Sequence, residues 1–185
     1  MKHISIILLA WMSIFQTGQD LYVCKNASVS LYSSAPIEDI KAATNTAASV
    51  FNATTGELNF SVAIRSFKFD KSLMQEHFNE NYMESDKYPQ ATFKGKLQAP
   101  VDVTRDGTFP ITVAGELTVH GVKQTRTIPG NLVIKGGVIT MTSEFMVKCA
   151  DHHIDIPQLV FHNIAESIKM NVSATYAPYK SNPTK

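Results

Sequence analysis

Along most of this chain apolar residues fall at every second position, the spacing of a strand with one buried face. Leu21, Val23, Ala27, Val29 and Leu31 alternate with polar or smaller neighbours. Leu58, Phe60, Val62 and Ile64 share one face, and Asn59, Ser61 and Arg65 take the other. Phe67 and Phe69 continue in the opposite phase, so the one-residue slip near Arg65 and Ser66 predicts a β-bulge. Ala91, Phe93, Gly95 and Leu97 form a further inward face. The longest clean run places Phe109, Ile111, Val113, Gly115, Leu117 and Val119 against Thr112, Glu116, Thr118 and His120. Strands are also expected over 125–135, 138–148 and 165–176. Turn residues separate the runs, and Gly136-Gly137 reads as a tight hairpin.

One segment breaks the two-residue period. Over 73–84, Met74, Phe78 and Tyr82 fall at i, i+4 and i+8, which predicts a short helix with an aromatic stripe turned toward the sheet. Glu76, Glu80 and Glu84 make an acidic stripe beside it. Ser72 and Gln75 fit a capping box, and Pro89 ends the excursion. Many short strands with one helix argue for an all-β fold, an antiparallel sandwich or barrel with the helix packed on it.

The chain has 185 residues, enough for one domain with a sizeable core. Residues 1–18 have the shape of a signal peptide: Lys2, an apolar run from Ile4 to Phe15, then a short polar exit. That run is shorter than the ~20 apolar residues a membrane span needs. The expectation is therefore an exported protein, periplasmic or secreted, with a domain over 19–178 and a polar tail over 179–185. Lys and Arg number 17 against 16 Asp and Glu, and no basic run occurs, which excludes nucleic acid as the expected partner.

Export would place Cys24 and Cys149 where thiols oxidise, so a bridge between them and two separate buried thiols both stand as readings. His152-His153, with Asp151, Asp155, Cys149 and His162 nearby, is the best candidate for a metal. Neighbouring histidines on an extended segment point to opposite sides, however, and the spacing is not a known ligand pattern, so no metal or other cofactor is expected. His77 lies one turn from Glu80, but no H-E-x-x-H pattern accompanies it. No G-x-S-x-G elbow occurs, and the many Ser and Thr sit on alternating faces, so no catalytic residue is expected.

Three stretches carry a resemblance. Glu76-His77-Phe78 is followed by K-Y-P-Q-A-T-F at Lys87 to Phe93; G-E-L-T-V-H-G-V spans Gly115 to Val122; Phe145 to Lys148 reads F-x-V-x, with Ile156-Pro157 and a closing strand after it. Together they resemble the YceI-like family, the lipocalin-like bacterial proteins that bind polyisoprenoid lipids. Ser28 to Leu31 keeps only a loose echo of the family's opening, so the chain resembles a shorter branch. The resemblance implies an extended antiparallel eight-stranded barrel around an apolar tunnel, holding a polyisoprenoid, quinone-like or other long-chain amphiphile for carriage or storage. On that reading Phe60, Val62, Ile64, Phe93, Gly115, Leu117, Val119, Phe145 and Met170 line the tunnel. His77 stands at the rim, where it packs against the barrel or meets a headgroup. Gly95, Gly115 and Ala174 are expected to leave space, and Met141 and Met170 to adapt to a tail. A peripheral encounter with a membrane and a homodimer complete the expected partners. The alternatives are a ligand-free structural or interaction domain and, third, a small enzyme or metal-binding protein.

Overall fold

The structure, a computed structural model, describes residues 21–34, 39–156 and 165–179. The leader over 1–18, Pro157, His162 and the tail from 180 lie outside the described residues. Among the described residues nine strands form: β1 (Leu21–Ser33), β2 (Ile40–Asn52), β3 (Glu57–Ala63), β4 (Lys68–Phe69), β5 (Gln90–Leu97), β6 (Gly107–Val119), β7 (Val122–Lys135), β8 (Val138–Lys148) and β9 (Ser167–Pro178). All pairings are antiparallel, in the order β1-β9-β8-β7-β6-β5-β3-β2, and β1 pairs with β2 to close the ring. The two-residue β4 continues β3 along the edge of β2 after a break. The result is the closed eight-stranded barrel with one short helix.

The break differs from the predicted bulge. Ile64–Ser66 form a 3-10 turn, with the Phe67 amide donating to Ile64 O, and this turn resets the phase for Phe67 and Phe69. The bulges lie instead in β1, where its register with β2 shifts between Cys24 and Ala27 and again before Val29. β2 escaped the sequence pattern altogether. It buries Ala42, Thr44, Ala47, Ser49 and Phe51 in alternation, but four of these side chains are small or polar and carry little hydrophobic signal.

Two hairpins follow from backbone chemistry. Gly136 and Gly137 adopt φ of 56° and 78° between the paired Lys135 and Val138. His120 and Gly121 adopt 51° and 74° between Val119 and Val122. Positive φ at both central residues matches the twist of the flanking strands.

The two ends of the barrel differ. At one end Phe51 is 1% exposed, and its ring meets those of Tyr22 and Tyr176 at 6.4 and 6.2 Å. The Tyr176 hydroxyl bonds Ser49 Oγ at 2.7 Å, which satisfies both polar groups inside this plug. At the other end α1 (Ser72–His77) runs into a π-helical turn over Phe78–Tyr82. The expected capping box is not made: Lys71 occupies the cap, Ser72 already lies within the helix, and the Gln75 side chain accepts from the Phe69 amide at 3.4 Å.

Cys24 and Cys149 do not pair; both thiols are free and buried. The register explains why. Val23 lies opposite Ala177 on β9, and Lys148 lies opposite Ser167 on the same strand. Those two β9 positions are separated by about 33 Å of strand at ~3.3 Å per residue, while a bridge needs Cα atoms within ~7 Å.

Candidate functional site

Between the plug and the helix lies a cavity of about 500 Å³. Small-molecule sites span ~300–1,000 Å³, so this volume suits a ligand rather than a packing defect. Its wall is built from the inward positions of the strands. β3 contributes Phe60 and Val62, the turn after it contributes Ile64, and β5 and β6 contribute Phe93, Leu117 and Val119. Phe145 and Met170, opposite each other on β8 and β9, complete the expected set. The alternation predicted from sequence therefore brings eight of the nine expected tunnel residues to one surface. Met141 and Ala174 also face it.

Gly115 is the exception and does not border the cavity. It sits opposite Gly95, and a Cβ built on it would lie 2.3 Å from Lys94 O and 2.4 Å from Gly95 Cα. Its missing side chain serves a close approach of β5 and β6. Gly95 does not open space either, because the Phe93 ring lies 2.8 Å from where its Cβ would stand.

The helical segment forms the roof. Met74, His77, Phe78, Tyr82 and Met83 all face the cavity. Phe78 is clamped by Phe67 and Phe69, with ring centroids at 5.8 and 5.0 Å. Such ring pairs add roughly 1 kcal/mol each beyond area burial. The stripe that sequence reasoning assigned mainly to core packing thus covers the cavity mouth. His77 is exposed and stands at the rim, as expected of a polar tip. Beyond the roof, Glu84 bonds His120 at 2.8 Å, and Arg65 bonds Asp86 at 2.6 Å and Ser85 at 3.1 Å, tying the segment to the barrel.

Burial acts on two ionisable groups of the wall. Burial pushes the Cys149 thiol up from its ordinary value, against the thiolate that nucleophilic chemistry needs. Burial raises the Tyr176 phenol as well, far above its ordinary range. Such a mostly apolar lining suits apolar matter, bound by excluding water.

His152 was weighed in the sequence as a metal ligand. It is fully buried, and its Nδ1 donates to Val122 O at 3.1 Å. His153 follows in a left-handed conformation at φ 53°, exposed to solvent. No group of three or more His, Cys, Asp or Glu side chains converges to hold a metal among the described residues. Burial lowers the His152 pKa from its ordinary 6.5, with the Arg126 charge adding to the effect and the bond to Val122 opposing it. The unfolded chain thus binds a proton here at a higher pH than the folded one. Stability is expected to fall as pH drops below about 6.5, until the folded imidazole itself takes a proton. Thermal melts at pH 7.5 and 5.5 check this: the wild type should lose more of its melting temperature than His152→Gln does.

A family model described as the YceI-like domain matches residues 26–176. Solved structures share the fold. A polyisoprenoid-binding domain from Saccharophagus degradans aligns with a TM-score of 0.73 at 15% identity, over 87% of this chain and 99% of that one. BcnA of Burkholderia cenocepacia gives 0.69 at 16%, over 80% and 95%. The YCEI protein of Campylobacter jejuni gives 0.56 at 17%, over 98% and 91%. No curated protein matches the chain.

Proposed function

Because the chain belongs to the YceI-like family, we propose that it is an exported lipid-binding protein that holds a polyisoprenoid, quinone-like or other long-chain amphiphile inside its barrel, for carriage or storage. The observation that carries this reading is the cavity of about 500 Å³, walled by apolar side chains and roofed by the Met74–Phe78–Tyr82 stripe. A filled structural barrel would have no use for that space, since interiors normally pack as densely as organic crystals. Burying a hydrocarbon tail contributes ~0.8 kcal/mol per methylene, less the cost of ordering it. Affinity then needs few polar contacts, in keeping with the mostly apolar wall. The S. degradans neighbour, described as polyisoprenoid-binding, supports the choice of ligand class. Export rests on the apolar leader in the sequence, and loading would involve a brief encounter with a membrane surface.

Titration with a fluorescent prenyl alcohol tests the proposal. Saturable one-to-one uptake, reversed by unlabelled prenyl alcohol, is the expected result; unsaturable or absent uptake by folded protein would remove the reading.

A further inference from the structure

The hydrogen-bond ladder of the cavity wall has a gap. β7 keeps β6 along its length and β8 keeps β9, yet β7 and β8 pair only from Asn131–Thr142 to Lys135–Val138. Pro129 accounts for the break. Its carbonyl oxygen accepts from Ser143 Oγ at 2.6 Å, so the polar side of this residue faces β8. In an antiparallel strand one residue's N–H and C=O point the same way. Proline offers no N–H there, and the ladder ends. Beyond it side chains replace the rungs. Arg126 donates to Met146 O at 2.6 Å, Gln124 donates to Asp151 O at 2.7 Å, and His152 donates to Val122 O.

At the foot of this gap the cavity adjoins an outer recess of about 530 Å³, and the two share Pro129, Gly130, Thr142, Ser143 and Val172 as wall. The register arranges the recess in rows. Asn131, Thr142, Ser173 and Ser28 lie side by side across β7, β8, β9 and β1. Glu144, Asn171 and Ser30 form the next row. Among the described residues no Lys or Arg lines the recess, and its one acid, Glu144, is paired with Lys169 at 3.2 Å.

We propose that the gap between β7 and β8 is a side window through which the polar end of the bound amphiphile reaches this recess, and that the head seated there is uncharged and rich in hydroxyl groups. The proposal rests on the reading of the cavity as a chain-lipid site. Hydroxyl and carboxamide groups both donate and accept, as the hydroxyls of a sugar do. A phosphate head would instead call for clustered cations.

Dodecyl glucoside, dodecyl phosphate and dodecanol, which share one tail, test it by competition against the fluorescent prenyl alcohol. The glucoside should bind the wild type about tenfold more tightly than the phosphate. In Asn171→Lys/Ser173→Lys, both outward-facing, that order should reverse, with dodecanol affinity changing less than that of either the charged or the sugar-headed probe. Ser28→Lys carries the same test should the double variant fail to fold. Equal or tighter binding of the phosphate by the wild type, or an unchanged order in the folded variants, overturns the window. Failure of the wild type to bind all three probes would overturn the cavity reading itself.

Discussion

Replacing Gly115 with alanine is expected to destabilise the barrel by about 3 kcal/mol, the upper part of the range for forced overpacking. The new methyl would stand 2.3 Å from a backbone oxygen of β5, which has no rotamer to yield. β5 and β6 would have to part at the Gly95–Gly115 pair, in the middle of their shared ladder. A thermal melt followed by far-UV circular dichroism should show a loss of roughly 10 °C. Lipid affinity of the fraction that stays folded should change little, because Gly115 does not face the cavity. A variant that melts like the wild type but loses lipid uptake would restore the sequence-based role of Gly115 as part of the tunnel.

The second large effect concerns uptake rather than stability. Ala91 is half-buried, faces the cavity and lies opposite Val62 near the roof. A tryptophan there would project into empty space instead of into packed neighbours. Displacing three or four methylenes of a bound tail, at ~0.8 kcal/mol each, should weaken binding by about 100-fold. The melting temperature should stay within a few degrees of the wild type, since the ring fills a void. The prenyl alcohol titration, run beside a thermal melt, reads both numbers. Unchanged affinity in the folded variant would show that the tail does not occupy this part of the barrel.

Strands with large apolar residues were legible in the sequence because alternation and burial coincide there. Leu58 to Ile64, Phe109 to Val119 and Val138 to Lys148 each present one face to the cavity or core. β2 was not legible. Its inward alanines, threonine and serine lie beside β1, and toward the plug Phe51 and Tyr176 take the volume. The helix was legible from its stripe but not its form: the turn widens to a π-helix at Phe78, and its first cap is not a side chain. Glycine misled because sequence does not tell an inward void from a close backbone contact. Gly115 meets a neighbouring strand and Gly95 meets the Phe93 ring two residues back on its own strand. The seam at Pro129 carried a signal, a proline inside a strand pattern, whose meaning needed the register of β8 to emerge.

Native mass spectrometry of the protein, gently purified from its own source, tests most directly whether the barrel is a lipid sheath. The expected spectrum shows a discrete mass above that of the bare chain, released on mild activation as one hydrophobic molecule per protein. A single unliganded species that also refuses prenyl alcohol added afterward would contradict that conclusion.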